Sequence, residues 1–299
     1  MTRRGLGDWG RRVTNESAPT PEAPDTAATS EAPALSAEES ARRSASFGAA
    51  ASQYARFRPG PPAESVAWLL ESAPTTVVDL GAGTGALTRL LVERVSDVIA
   101  IEPDDRMREV LARDVPEASA RKGWGEALPL EDHSADAVLA SSSWHWMDAE
   151  LALGEAARVL RPAGVLGAVW SGPDPDGPFL AAAQALLAQR RDDNDEDDSP
   201  DMASAIIDPH RTITELVIPD GSPFAVPEHH VHTWDVALNA EELIGLLGTF
   251  SWIILMTPER RERVVAEARR LLAEGLGVVG DVTVDVAYRA DSWRTRVAG

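Results

Sequence analysis

The sequence predicts an α/β protein, a doubly wound and largely parallel sheet with helices on both faces. Three observations predict it. Apolar strand-like runs alternate with amphipathic helical runs from residue 63 to residue 170, the rhythm of a parallel sheet covered on both sides. A glycine-rich turn, "VVDLGAGTGAL" at 77–87, joins the first strand to the helix after it. The rhythm breaks after Trp170, and regular patterning returns near residue 229.

The elements follow in order. "AESVAWLLESA" (63–73) places its apolar residues at helical spacing. "TTVVDL" (75–80) is a buried strand, and "GALTRLLVERV" beyond the glycines is a helix. "DVIAIE" (97–102) and "DRMREVLARD" repeat strand and helix. "ADAVLASSS" (135–143), "AELALGEAARVL" and "GVLGAVW" (164–170) continue as strand, helix, strand. "GPFLAAAQALLAQRR" then reads as a helix. "HHVHTWDVAL" (229–238) alternates as a strand, "AEELIGLLGTF" and "PERRERVVAEARRLLAEG" read as helices, and "DVTVDVAYRADSW" (281–293) as a closing strand.

The chain's 299 residues suit one large domain with a tail. Residues 1–43 are rich in Ala, Pro, Ser, Thr and Glu, which cannot bury enough apolar surface to offset ordering entropy, so a disordered tail is expected there. The domain then runs over 44–299, beginning with "FGAAASQYARFRPGPP" and interrupted by an acidic insertion around 190–202. A net charge of −20 disfavours nucleic-acid partners. With no cysteine, disulfides, thiolate zinc sites and cysteine nucleophiles are excluded. His230 and His232 would share one strand face while His229 points away, and with no third ligand in reach no metal site is expected. The basic N-terminus lacks the apolar core of a signal peptide, and "LIGLLGTFSWIILM" (243–256) is too short to span a bilayer. The expectation is a cytoplasmic protein, monomer or homodimer, with no membrane partner.

The glycine loop carries the chemistry. A turn this tight needs residues without a Cβ, so that ligand and backbone approach closely. In open α/β sheets that crevice, at the carboxyl ends of the strands, is where ligands sit. With Ala86 after Gly85 the loop also satisfies G-x-G-x-x-G/A, and Glu102 at the next strand end suits ribose hydroxyls in either case. On the glycines alone, a nicotinamide-dependent oxidoreductase remains open.

Four blocks go further: "VVDLGAGTGALTRLL", "VIAIEPDDRMREVL", "GWGEALPLEDHSADAVLASSSWHW" and "EAARVLRPAGVLGAVW". In order and spacing they resemble the class I S-adenosylmethionine-dependent methyltransferases. The flanking "FGAAASQYARFRPGPP" and "WDVALNAEELIGLLGTFSWI" resemble a trans-aconitate methyltransferase-like subgroup. The resemblance implies a Rossmann-like sheet of seven strands with an antiparallel late strand. It implies S-adenosylmethionine as cofactor and a small-molecule acceptor, methylated on a carboxylate or hydroxyl oxygen. Asp79, Gly81, Ala82, Gly83 and Gly85 would then surround the methionine part of the cofactor. Glu102 would take the ribose hydroxyls with Pro103 and Asp104 beside it, and Met107 would cover the adenine. Gly125, Glu126 and Ala127 would present backbone to the adenine edge. Many relatives have Asp where this chain has Trp124, which cannot accept a hydrogen bond but can stack.

"SSSWHWMD" (141–148) follows a strand at the edge where the methyl group would point. Ser142, which counts among the cofactor contacts, and Ser143 would sit in the pocket floor. Trp144 and Trp146 would give apolar walls. His145 would deprotonate an acceptor or hold its anionic group. Trp170, Tyr54, Arg58, Trp252 and Tyr288 are further wall candidates. Arg58 is the residue suited to clamp a carboxylate bidentately.

Overall fold

A computed structural model describes residues 3–4, 60–179, 181, 215–248, 253 and 256–298. Tyr54, Arg58, Trp252, the acidic insertion and all of the tail but Arg3–Arg4 lie outside the described residues.

Strand β1, Thr76–Leu80, opens the sheet. β2 (Asp97–Ile101), β3 (Ser119–Arg121), β4 (Ala135–Ser141), β5 (Leu160–Pro173), β6 (Glu228–Leu238) and β7 (Thr283–Arg296) follow. Their spatial order is β3-β2-β1-β4-β5-β7-β6. β7 runs antiparallel to both neighbours, while β1 to β5 pair in parallel. Besides these seven, Arg3–Arg4 pairs parallel with Thr283 and Val284 as a two-residue eighth strand. That pairing falls within the stretch read from sequence as a tail.

The pleat sorts the side chains. Val78 and Leu80 of β1 join a cluster with Ala152, Leu153, Ala156 and Val159 of α4 (Ala149–Val159) on one face. Val77 joins Val66 and Leu69 of α1 (Ala63–Leu69) and Leu87 and Leu91 of α2 (Ala86–Val92) on the other. Period-2 alternation in the strand thus meets period-3.6 stripes in the helices, and helices cover both faces. α3 (Asp105–Asp114) is capped by Asp104, whose carboxylate accepts from the N–H groups of Arg106 and Met107. A separate cluster binds α5 (Ala240–Leu247) and α6 (Pro258–Arg270) to the far end of β7.

Three expectations shift. β3 has no apolar pattern and forms because Ile99–Ile101 offer it a pairing edge. β5 starts at Leu160, not Gly164, and continues to Pro173. The single helix over 258–275 ends its α-helical part at Arg270 and passes into a wider turn over Leu271–Gly275.

Arg294 on β7 joins α1 to the sheet. It is nearly buried and donates to the Trp68 carbonyl at 2.7 Å and to Glu228 at 2.8 Å, with Glu71 at 2.6 Å. Its guanidinium lies 4.2 Å from the Trp68 ring centre. Both carboxylates are solvent-exposed, so the carbonyl bond, the stacking and the buried stem dominate. Arg294→Ala is expected to cost about 2–3 kcal/mol of stability, read as a lower urea midpoint.

Candidate functional site

The strand order reverses between β1 and β4, and the crevice outside their carboxyl ends is the site. Gly81 and Ala82 donate their N–H groups to the Ile101 carbonyl at 2.9 and 3.0 Å, which draws the glycine turn against the end of β2. Gly81, Gly83 and Gly85 all have positive φ, at 67°, 58° and 89°. A Cβ on Gly81 would lie 2.6 Å from the Ser143 Cβ, so the turn can pass only as glycine. A Cβ on Gly83 would meet no described atom within 4 Å, so the turn opens there onto space a ligand can take.

Asp79 is fully buried at the end of β1. Its Oδ2 accepts from the Thr88 hydroxyl at 2.6 Å, and its Oδ1 has no partner among the described residues. Burial pushes its carboxyl up to about 7. The Thr88 bond opposes that rise, and the nearby Glu102 charge adds to it. Glu102 is also held above the ordinary carboxylate range by burial, against the pull of two backbone donors. Those donors are Gly83 N–H at 2.8 Å and Asp104 N–H at 2.9 Å. They use two of the roughly four acceptor positions of a carboxylate, leaving capacity for a pair of hydroxyls. Met107 is buried on the first turn of α3, and Pro103 is half-buried beside it.

On the opposite wall, Ala127 N–H bonds the Trp124 carbonyl and closes a tight turn around Gly125 and Glu126. Gly125 is buried and Trp124 is 53% exposed, which leaves the indole at the rim, where a ring can stack on it. The Glu126 side chain is committed elsewhere, accepting from Asp148 N–H at 2.8 Å ahead of α4. Met147 went unnoticed in the sequence. A Cβ on Gly125 would meet its sulfur at 2.4 Å, and one on Gly81 its terminal methyl at 3.4 Å. Met147 thus fills the gap between the two glycine segments, a contact that no local pattern signals. Gly125→Ala is expected to weaken S-adenosylhomocysteine binding about tenfold in calorimetry, since Met147 must move aside. Met147→Ala in the same chain is expected to restore most of that loss.

The turn after β4 is anchored to the glycine loop. Ser142 has φ of 51°, unusual for a non-glycine, and its N–H bonds the Val169 carbonyl at 2.8 Å. Ser143 Oγ donates to the Leu80 carbonyl at 2.6 Å. Trp144–Trp146 form a single 3₁₀ turn. Within it Trp144 is buried in the core cluster, while His145 and Trp146 are half-buried. The Trp146 ring lies 4.7 Å from the His145 ring, tilted by 44°. Trp170 is buried, and its Nε1–H donates to His145 Nδ1 at 3.1 Å. The structure therefore gathers His145, Trp146 and Trp170 and assigns Trp144 to packing.

The other wall candidate described, Tyr288, lies fully buried in the cluster of α5 and α6, away from this turn. The late histidines have separate partners: His229 bonds Asp291 at 2.9 Å, His230 stacks on Trp68, and His232 lies 3.7 Å from Glu64. No helix among the described residues is long and apolar enough to cross a membrane.

A glycine turn at the switch point, with a buried acid on each of two adjacent strand ends, defines a nucleotide-cofactor-binding protein of the doubly wound class. The methyltransferase domain family model matches residues 78–168. An uncharacterized methyltransferase of Mycobacterium tuberculosis is 38% identical over 230 residues, 77% of this chain and 86% of that one. A second, from Schizosaccharomyces pombe, is 31% identical over 72% of this chain and 80% of that one. A solved candidate type II methyltransferase from Anaeromyxobacter dehalogenans superposes with a TM-score of 0.55 at 25% identity, covering 81% of this chain and 99% of that one. A shorter likeness, 32% over 124 residues, links 40% of this chain to 41% of a malonyl-[acyl-carrier protein] O-methyltransferase of Methylococcus capsulatus. The chain belongs to the S-adenosylmethionine-dependent methyltransferases.

This excludes the nicotinamide reading of the glycine loop. The finer likeness to trans-aconitate methyltransferase-like enzymes is not carried by these relatives. Among the described residues the pocket fits the cofactor on its own terms: an acceptor without a partner on Asp79, open space at Gly83 and spare acceptor capacity on Glu102.

Proposed function

We propose that this methyltransferase acts on a small molecule and methylates an oxygen, of a carboxylate or a hydroxyl group. The observation that carries the reading is the bond from Ser143 Oγ to the Leu80 carbonyl. It holds the turn bearing His145 and Trp146 against the glycine loop, so that an imidazole and an indole border the methionine end of the cofactor crevice. When bound, S-adenosylmethionine supplies an electrophilic methyl group on a sulfonium. Asp79 and the glycine turn would hold its methionine part, Glu102 its ribose, and Met107 and Trp124 its adenine. His145 and Trp146 would orient the acceptor oxygen toward the methyl carbon and keep water away. The O-methyltransferase among the partial relatives supports oxygen as the nucleophile.

The test is methyl transfer from isotopically labelled S-adenosylmethionine to a panel of small polycarboxylates, phenols and amines, followed by mass spectrometry. Label on the oxygen of one acceptor is the expected result. Label confined to nitrogen or carbon would overturn the reading. Against the acceptor so found, His145→Ala is expected to lower kcat/KM about a hundredfold.

A further inference from the structure

The chain holds five methionines and no cysteine, so thioethers are all the sulfur it offers to an oxidant. Three of the five are described, and their settings differ. Met107 is 7% exposed on α3. Met256 is half-buried against the cluster of α5 and α6. Met147 is half-buried too, and its sulfur stands so close to Gly125 that a Cβ there would lie 2.4 Å from it. Its terminal methyl reaches the other glycine segment, 3.4 Å from where a Cβ on Gly81 would be. One side chain therefore spaces the two segments that the reading above assigns to the cofactor.

Neither segment has slack. Gly81 N–H is bound to the Ile101 carbonyl at 2.9 Å. The turn around Gly125 is closed by the bond from Ala127 to Trp124 and tied to the start of α4 through Glu126 and Asp148. The backbone of Met147 is fixed as well. Its N–H bonds the Trp144 carbonyl at 3.1 Å, and the next residue, Asp148, caps α4. A change in the size or polarity of this side chain must be taken up by the side chain itself or by the walls of the crevice.

We propose that Met147 is an oxidation site that controls the cofactor crevice: hydrogen peroxide converts its thioether to the sulfoxide, and the sulfoxide weakens cofactor binding until the oxygen is removed. The inference rests on the methyltransferase reading and adds a control to its cofactor site. The sulfur gives an electron pair to one peroxide oxygen as the O–O bond breaks. That oxygen becomes the sulfoxide oxygen, and the other leaves as water with both protons. Sulfur is oxidised by two electrons and peroxide is reduced by two. Methionine sulfoxide reductase reverses the change with two thiols, which end as a disulfide while the oxygen leaves as water.

The effect on binding follows from packing. A thioether is soft and apolar and fits an irregular gap. A sulfoxide is bulkier and carries a polar oxygen that needs a hydrogen bond. If the oxidised side chain stays in place, it overpacks the gap between Gly125 and Gly81. If it turns out to water, the two segments lose the side chain that spaces them. Either response changes both walls of the crevice.

The experiment treats full-length protein with hydrogen peroxide and stops the reaction with catalase. Peptide mass spectrometry then locates each added oxygen, and calorimetry measures the Kd for S-adenosylhomocysteine. Met147 is expected to oxidise ahead of the buried Met107, and the Kd of the oxidised protein to be about tenfold higher. In Met147→Leu, the same treatment is expected to leave that variant's own Kd where it was. Reductases for both sulfoxide epimers, supplied with a dithiol, should return the wild-type mass and the wild-type Kd together. Full oxidation of Met147 with no change in Kd would overturn the proposal. So would an equal loss of affinity in wild type and Met147→Leu, which would place the sensitive group elsewhere. The wild-type series decides even if the variant fails to fold, because the oxidised fraction of Met147 and the weakened fraction of sites must rise together. Untreated wild type checks the underlying reading separately. If it does not bind S-adenosylhomocysteine, the methyltransferase reading fails; if it binds and peroxide leaves the affinity unaltered, only this inference fails.

Discussion

Asp79→Asn is expected to make the cofactor-free protein more stable and to disable it. The folded state holds the Asp79 proton up to about pH 7, whereas the unfolded chain releases it near 3.8. Between those values the folded state binds more protons than the unfolded state, so stability from this group falls as pH rises and levels off above 7. A shift of that size corresponds to about 4 kcal/mol at most above pH 7. Asparagine carries no charge to desolvate, and its side-chain oxygen still accepts from Thr88. The variant and wild type should therefore match near pH 4 and diverge up to pH 7, the variant melting higher. Glu102, also raised by burial, gives wild type a further slope of the same sign; it persists in the variant, relieved of the repulsion from the Asp79 charge, which adds to the variant's advantage. The cost appears in binding. The Asp79 Oδ1 is a buried acceptor without a partner among the described residues, on the strand that leads into the glycine turn. Losing a charged hydrogen bond there should weaken S-adenosylmethionine roughly ten- to hundredfold. Urea melts over pH 4–8 and calorimetric titration read the two halves independently. A variant that is less stable at pH 8 would show that the buried carboxylate is not the source of the penalty.

Gly81→Ala should be the more damaging change for folding. Its φ of 67° places an alanine in the left-handed region, at about 1–2 kcal/mol. The new Cβ would stand 2.6 Å from the Ser143 Cβ, and Ser143 cannot retreat without giving up its bond to the Leu80 carbonyl. Overpacking of that kind adds about 1–3 kcal/mol. The total is roughly 2–5 kcal/mol, measured as a shift in urea midpoint. Gly83→Ala is the control. It has the same sign of φ and no described atom within 4 Å of its Cβ, so it should cost only the conformational part, about 1–2 kcal/mol, while still impairing cofactor binding by filling the open space. Ser143→Gly should recover most of the difference between the two. Equal destabilisation by both substitutions would mean that the contact with Ser143 carries no weight.

Local sequence made some of this legible and hid the rest for a physical reason. The starts of β1, β2, α2, α3 and α4 follow from apolar runs and helix signals confined to a few residues, and the structure places them within a residue or two. Asp104 was legible only as a neighbour of Glu102, although an aspartate before "DRMREVL" is a cap in its own right. β3 was invisible because a three-residue edge strand has no period to detect. The distinction within "WHW" was invisible too. Three consecutive residues of one 3₁₀ turn point about 120° apart, so one indole enters the core while its neighbours stay half-buried.

The sequence by itself determined the α/β architecture, the glycine turn at the end of the first strand and the acid at the end of the second. Each is a matter of spacing along one short stretch of chain. Tertiary structure alone decided what those residues do to one another. Thr88 reaches Asp79 across 9 residues, Trp170 reaches His145 across 25, Ser143 reaches Leu80 across 63, and Arg294 reaches Trp68 across 226. The partner of a histidine, the charge on a buried aspartate and the space beside a glycine depend on atoms that become neighbours only when the sheet assembles. No pattern read along the chain contains that information.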